Sequence, residues 1–545
     1  MNSWTQPFGD KRLGPFYMWP VAYSITKIFY LPIRVVYNTK KTNYDTYRQT
    51  GTEMGERMKN RDNEFFIEEE LDELVREENK EALKDQLSRI LACSCCLNGF
   101  KHCRKYLQIF TEEEIVQTPY LATAAAVISA IYGDLERAEH YAACVECEPI
   151  MKLHLDVMIP GTDTEKVMRA LEKLTNLQRT QGFLPNLPLA AGRLTLVNGF
   201  RDFTMYGTWI RERKEQLKQY MRQFYGDSAV GMAEIAYAEI CYQRNECFEA
   251  ITTLVGCIPF IEREGEIAVL FIALSLQMKI MIATGQIAVV YPMLDKIYQR
   301  LYAGKSRWLL ENYGAMKVHG LMYDGDVQTV SDWMEQEAPN ELGELCMLDT
   351  YKYMIKMRAY ILEERYLAML SLAEYLREPL RKGGRTMDLC EMDLLCAVSY
   401  FLDGKPEEAY SLLDHILPVI QERRFDRLVA DEGEKVYFLL RNYRKERQKD
   451  DEYLNQLIQL SKKMALLYPD YLRKAKEDYP PLTETEKEIL CLLADERSNM
   501  EIADFMEISI NTVKFHIKNI YTKLKVKTRQ QAVRAAKENK LISIR

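Results

Sequence analysis

The chain has 545 residues, 47% hydrophobic and 28% charged, with a net charge of −7. At roughly 150 residues per domain this is room for about three or four domains, and 18 Pro and 25 Gly are too few for a fibrous or largely disordered chain. The longest apolar stretch, Ile267 to Met278, is broken by Gln277 and followed by Lys279, well short of the ~20 residues that cross a bilayer, so no membrane partner is expected.

Residues 1–64 are rich in Tyr, Phe and Pro, carry more basic than acidic side chains and show no clear period, so they are assigned no fold. The apolar run from Met18 to Tyr37 contains Lys27, Arg34, Pro20 and Pro32, and no small-residue cleavage site follows it. The 13 cysteines are odd in number and scattered through apolar segments, unlike a disulfide framework. A cytoplasmic location is expected.

Residues 65–469 have apolar positions at helical spacing almost throughout and no alternating strand series, which predicts an all-α body. Turns at Asn245-Glu246, Gly285-Gln286, Gly325-Asp326, Glu364-Arg365 and Gly404-Lys405 recur every 39 or 40 residues. Each is followed, five positions after its first residue, by a small or apolar one: Ala250, Val290, Val330, Met369 and Ala409. Upstream, Gly99 and Gly133 lie 34 residues apart, the tetratricopeptide period, and Gly133-Asp134-Leu135-Glu136-Arg137-Ala138 reads as that motif's central turn. A helix pair cannot bury its apolar face alone, so pairs stack, and the expected architecture is a tetratricopeptide-like, right-handed helical solenoid. Between Glu148 and Met232 the register is lost, and Pro160-Gly161 with Leu184-Pro185-Asn186-Leu187-Pro188 mark irregular connections.

Within this body Cys93, Cys96 and Cys103, with Cys95 and His102 nearby, offer ligands for zinc or copper(I). Cys93 and Cys96 also share a helical face, where free Cys behaves as a small buried hydrophobe; that second reading is adopted, and neither metal nor cofactor is assigned. The six His form no motif with Ser, Cys or paired carboxylates, so no catalytic residue is assigned and no enzyme is expected. No G-x-x-x-x-G-K-[ST] phosphate loop occurs. Single tyrosines among the 34 are read first as packing between helices.

Residues 470–481 are read as a linker, because Tyr479-Pro480-Pro481 forbids helix continuation. Beyond it charge becomes asymmetric: Pro481 to Ile508 is acidic, whereas from Ser509 onward ten Lys and Arg face Glu538 alone. A basic end on an acidic chain suggests a polyanionic partner. Residues 482–545 read as four short helices, Glu484 to Asp495, Met500 to Met506, Ile510 to Leu524 and Gln530 to Glu538, with Thr483 and Glu486 as a capping box and Ser509 and Thr528 before the last two. The second and third are separated only by Glu507-Ile508-Ser509, a helix-turn-helix spacing. On the third, Val513, Ile517, Ile520 and Leu524 form the apolar stripe, leaving Asn511, Lys514, Phe515, Lys518 and Thr522 on the opposite face. A basic helix with an exposed aromatic suits a DNA major groove.

Leu482-Thr483, Glu486, Leu490, Leu493-Ala494, Ser498-Asn499, Glu501-Ile502-Ala503, Ile508-Ser509, Thr512-Val513-Lys514, His516, Ile520, Lys523-Leu524 and Arg529 resemble the LuxR/GerE-type DNA-binding domain position by position. The resemblance implies a four-helix domain whose third helix enters the major groove of duplex DNA, and a homodimer contact through the fourth. Candidate DNA contacts are then Ser509, Asn511, Thr512, Lys514, Phe515, Lys518, Thr522, Lys523 and Arg529, with His516 a packing residue. The sequence departs from the family in having Glu496 and Glu507 where glycines are common; a non-glycine in a left-handed turn costs about 1 kcal/mol, and a carboxylate at Glu507 repels phosphate. Gly133-Asp134-Leu135-Glu136-Arg137-Ala138-Glu139, Val197-Asn198-Gly199-Phe200-Arg201-Asp202-Phe203 and Arg424-Phe425-Asp426-Arg427-Leu428-Val429-Ala430-Asp431-Glu432-Gly433 are similar to the effector-sensing superhelix of MalT-type LuxR regulators. In that family an ATP-binding module precedes the superhelix, and residues 1–64 are too short for one. Together these resemblances imply a transcription regulator with RNA polymerase as a partner and a small-molecule or protein effector on the solenoid. The rival expectation is a protein-binding scaffold whose DNA-binding end is degenerate.

Overall fold

The computed structural model describes residues 71–93, 101, 103–145, 149–161, 163–181, 194–225, 229–303, 307–341, 343, 345–473, 482–495 and 497–538. The region assigned no fold, 1–64, the Leu184–Pro188 run, Pro480-Pro481 and Glu496 lie outside them. The described residues are helical with no strand among them, only an isolated bridge between Asn198 and Asp202. They separate into two compact units that divide after Arg473.

The first unit is built of helix pairs: α1 (Pro119–Ile131) with α2 (Leu135–Ala143), α3 (Met232–Gln243) with α4 (Cys247–Glu264), α5 (Ile267–Ala283) with α6 (Val290–Ala303), α7 (Arg307–Met322) with α8 (Val327–Gln336), α9 (Thr350–Leu362) with α10 (Tyr366–Lys382), and α11 (Thr386–Leu402) with α12 (Pro406–Arg423). Their turns explain the period. Gly133, Asn245, Gly285, Gly325, Glu364 and Gly404 all have positive φ, between 61° and 85°. In each, the next amide donates to the carbonyl five residues back, as Glu246 does to Cys241 at 2.8 Å and Arg365 to Tyr360 at 2.8 Å, so the first helix ends in a left-handed cap and reverses. Five residues beyond each turn, Ala138, Ala250, Val290, Val330, Met369 and Ala409 are fully buried, where the second helix crosses the first.

The first helices of successive pairs also pack on one another, α3 on α5, α5 on α7, α7 on α9 and α9 on α11. Covered on all sides, α5 is apolar nearly all round and α9 is buried nearly all round, Lys352, Lys356 and Arg358 included, whereas the second helices bury one stripe. A short helix, α13 (Asp426–Ala430), touches both α3 and α11, so the stack curves around it. Helices α14 (Gly433–Glu446) and α15 (Glu452–Leu467) close its C-terminal end, and further helices, among them Lys80–Cys93, Pro149–Met158, Thr164–Gln181 and Lys214–Tyr225, lie before α1 or between α2 and α3. Tyr471 and Leu472 are buried in its core, so the structure continues past Pro469 and takes the first residues of the stretch read as a linker.

Polar clasps fix the curvature. The Arg385 guanidinium, wholly buried, pairs with Asp388 at 2.8 Å and donates to the carbonyls of Asn198, Gly199 and Phe200, while Asp202 accepts from the Met387 amide at 3.0 Å. From the other segment, Asp431 accepts from the Tyr242 hydroxyl at 2.6 Å, its backbone carbonyl accepts from the Tyr323 hydroxyl at 2.9 Å, and Glu432 pairs with Arg358 and accepts from Tyr471. The two irregular stretches that look MalT-like, 197–203 and 424–433, thus carry the clasps.

The second unit contains α16 (Glu484–Ala494), α17 (Asn499–Phe505), α18 (Ile510–Lys523) and α19 (Arg529–Glu538) around Leu482, Ile489, Leu490, Leu493, Ile502, Val513, Ile517, Ile520, Leu524, Ala532 and Ala536.

Candidate nucleic-acid interface

The second unit holds one helix in a fixed pose. Thr483 caps α16, accepting from the Glu486 amide while Glu486 accepts from the Thr483 amide. Ser498 and Glu501 form a second capping box on α17, and Ser509 caps α18 by accepting from the Thr512 amide at 3.1 Å. Between α17 and α18 the chain reverses at Glu507, φ 53°, with the Ile508 amide on the Ala503 carbonyl at 3.1 Å. The glutamate therefore occupies a left-handed position that glycine adopts without strain.

The α18 stripe divides as its periodicity predicts. Val513, Ile517, Ile520 and Leu524 are buried, whereas Asn511, Lys514, Phe515, Lys518 and Thr522 are exposed. Phe515 is 60% exposed, an unusual position for a large aromatic, and its ring meets His516 edge-on at 5.7 Å. His516 is half-buried.

The other candidates are engaged within the unit. Ser509 and Thr512 share a hydroxyl contact of 2.8 Å that closes the cap. The Lys523 ammonium lies 2.7 Å from the buried Glu486 carboxylate. Burial works to raise the Glu486 carboxyl, but Lys523 and the Thr483 amide and hydroxyl outweigh it and hold it below the usual carboxylate value. Arg529 donates to the Leu493 carbonyl at 2.9 Å, closing the end of α16. Lys523 and Arg529 thus tie α18 and the start of α19 to α16. The Ser498-x-x-Glu501 box and this Glu486–Lys523 pair are the features missed from sequence; the first has a plain motif, the second only opposite charges.

Elsewhere, among the described residues no helix is long and apolar enough to cross a membrane, and no group of three or more His, Cys, Asp or Glu is placed to hold a metal. Cys103 is buried; Cys96, His102 and the Cys93 side chain lie outside the described residues.

Comparison with known proteins matches both units. Residues 214–446 fit the family described as MalT-like TPR region, and residues 480–536 fit bacterial regulatory proteins of the luxR family. The chain carries a MalT-like TPR region followed by a luxR-family domain. Over 71 residues it is 49% identical to the response regulator protein VraR of Staphylococcus aureus (strains Mu3 and NCTC 8325) and of Staphylococcus epidermidis (strain ATCC 35984), covering 13% of this chain and 34% of each relative. The chain therefore spans about a third of the length of these curated relatives.

Proposed function

We propose that the protein is a cytoplasmic transcription regulator that binds duplex DNA through α18 of its luxR-family domain, and whose MalT-like region senses an effector. The observation that carries this reading is the division of α18 into a buried apolar stripe and an exposed face of Asn511, Lys514, Phe515, Lys518 and Thr522. Two lysines one turn apart reach guanine edges or phosphates, and an exposed Phe between them touches a thymine methyl. Ser509, Thr512, Lys523 and Arg529 act by posing the helix. Dimerisation through α19 and contact with RNA polymerase belong to the same proposal, and catalysis has no part in it.

The test is site selection from random duplexes by the full chain, followed by titration at several salt concentrations. A selected site bound tightly, with log affinity falling linearly against log salt, supports the reading. Failure to enrich any site, in folded protein, would favour the scaffold instead.

A further inference from the structure

Four consecutive first helices carry an ionisable residue at one equivalent position. Glu239 on α3, Lys279 on α5, His319 on α7 and Arg358 on α9 each lie six residues before the left-handed turn residue of their pair. The same position holds valine in the pairs at either end, Val127 and Val398, so the ladder is confined to the middle of the stack. Tyr351 lies two turns before Arg358 on the same face of α9.

The two ends of the ladder are fully partnered. Glu239 accepts from the Thr195 hydroxyl at 2.6 Å and from the amides of Leu196 and Val197. Arg358 pairs with Glu432 and with Glu391. The middle differs. Among the described residues the Lys279 ammonium has no ion pair and lies 5.7 Å from the centre of the Tyr351 ring, and the buried His319 Nε2 and Tyr351 hydroxyl have no hydrogen-bond partner. Burial lowers the Lys279 ammonium and, with Arg358 and Lys279 nearby, lowers the His319 imidazole; burial raises the Tyr351 hydroxyl. Yet all three residues keep part of their surface uncovered.

Burying polar groups such as the His319 Nε2 and the Tyr351 hydroxyl without partners is costly. The acids within electrostatic reach of Lys279 are Glu239, Glu391 and Asp431; the first is held by Thr195 and two amides, the second by Arg358, and the third by Arg427 and Tyr242. An ammonium beside two groups able to donate hydrogen bonds is complementary to an oxyanion. We propose that Lys279, His319 and Tyr351 form a binding site, on the inner helices of the MalT-like region, for a small molecule bearing a carboxylate or phosphate group. This deepens the effector half of the proposed function and is independent of its DNA half.

The test is thermal unfolding of the full chain, without DNA, in sodium succinate, sodium phosphate, sodium chloride at matched ionic strength, and xylitol. Succinate or phosphate should raise Tm saturably, by roughly 2–4 °C over chloride, while xylitol should not; the more effective anion identifies carboxylate or phosphate. Non-specific salting-out stabilisation is separated by Lys279→Met, which should melt no lower than wild type in chloride and lose the anion-dependent rise. Tyr351→Phe should keep its Tm in chloride and need several-fold more anion for half the rise. Lys296→Met, removing an outer ion pair with Glu262, should keep the rise. The proposal is overturned by any of four results: no anion-specific rise in wild type, an equal rise with xylitol, a rise that survives Lys279→Met, or a Lys279→Met variant that melts well below wild type in chloride.

Discussion

Lys523→Met removes the cation facing Glu486 and keeps most of the aliphatic stem. The Glu486 side chain is 4% exposed and Lys523 27%, so the substitution leaves a carboxylate in the interior with only the Thr483 amide and hydroxyl to stabilise it. Stranding a fully buried charge costs about 3–5 kcal/mol; with Lys523 a quarter exposed and the capping bonds retained, the loss expected is about 1–3 kcal/mol. The pH dependence follows from the sign of the shift. In wild type the folded carboxyl lies below its unfolded value, so its stabilisation is complete above the unfolded value and is lost as pH falls through the folded one. Without Lys523 the folded carboxyl moves up, and the deficit of the variant shrinks in acid, where both proteins carry a neutral Glu486. Hydrogen exchange of the α18 amides in the full chain reads both quantities. Unchanged protection, with the salt slope of DNA binding lowered by about one, would mean that Lys523 contacts phosphate and the structural role is wrong.

Three further outcomes are expected. Arg358→Met strands Glu432 in the solenoid core and should cost about 3–5 kcal/mol, seen in urea unfolding followed by tryptophan fluorescence; a loss under about 1 kcal/mol would show that the clasp is dispensable. Ala250→Leu overfills a fully buried helix crossing and should cost about 1–3 kcal/mol in the same assay, whereas Thr252→Leu, on the exposed outer face of α4, should change stability by no more than about 0.5 kcal/mol; equal losses at the two positions would refute the crossing argument. Glu507→Gly relieves a left-handed glutamate at φ 53° and removes a charge beside the proposed groove contact, so duplex affinity should rise; weaker binding in a folded variant would place Glu507 among useful contacts.

The repeat architecture was legible because its turns are chemically constrained. A left-handed cap and a fully buried crossing residue recur at fixed spacing, and the register identified Glu364 although a glutamate alone suggests nothing of the kind. The α18 stripe was legible for the same reason, since one helix period decides both its core and its exposed face. What stayed hidden involves partners far apart in sequence: Arg385 binds carbonyls 185 to 187 residues away, and Lys523 meets Glu486 37 residues away. The family resemblance names Lys523 and Arg529 among the DNA contacts, and only the folded chain shows that they also meet Glu486 and the Leu493 carbonyl of α16. The ladder from Glu239 to Arg358 was readable in the same register, but only burial shows which of its members lack partners.

Titrating a selected duplex with the wild-type chain and with Lys514→Ala, Lys518→Ala and Phe515→Ala, over a range of salt, bears most directly on the DNA-binding role. Each lysine that contacts phosphate should, when lost, weaken all sequences alike and lower the salt slope by about one, and one that contacts a base should cost ~1–3 kcal/mol at a single position. Phe515→Ala should relax preference at one position, and all three variants should stay folded because none of these side chains belongs to the buried stripe. Unchanged affinity in all three folded variants, or the absence of salt-dependent duplex binding in the wild type, would contradict it.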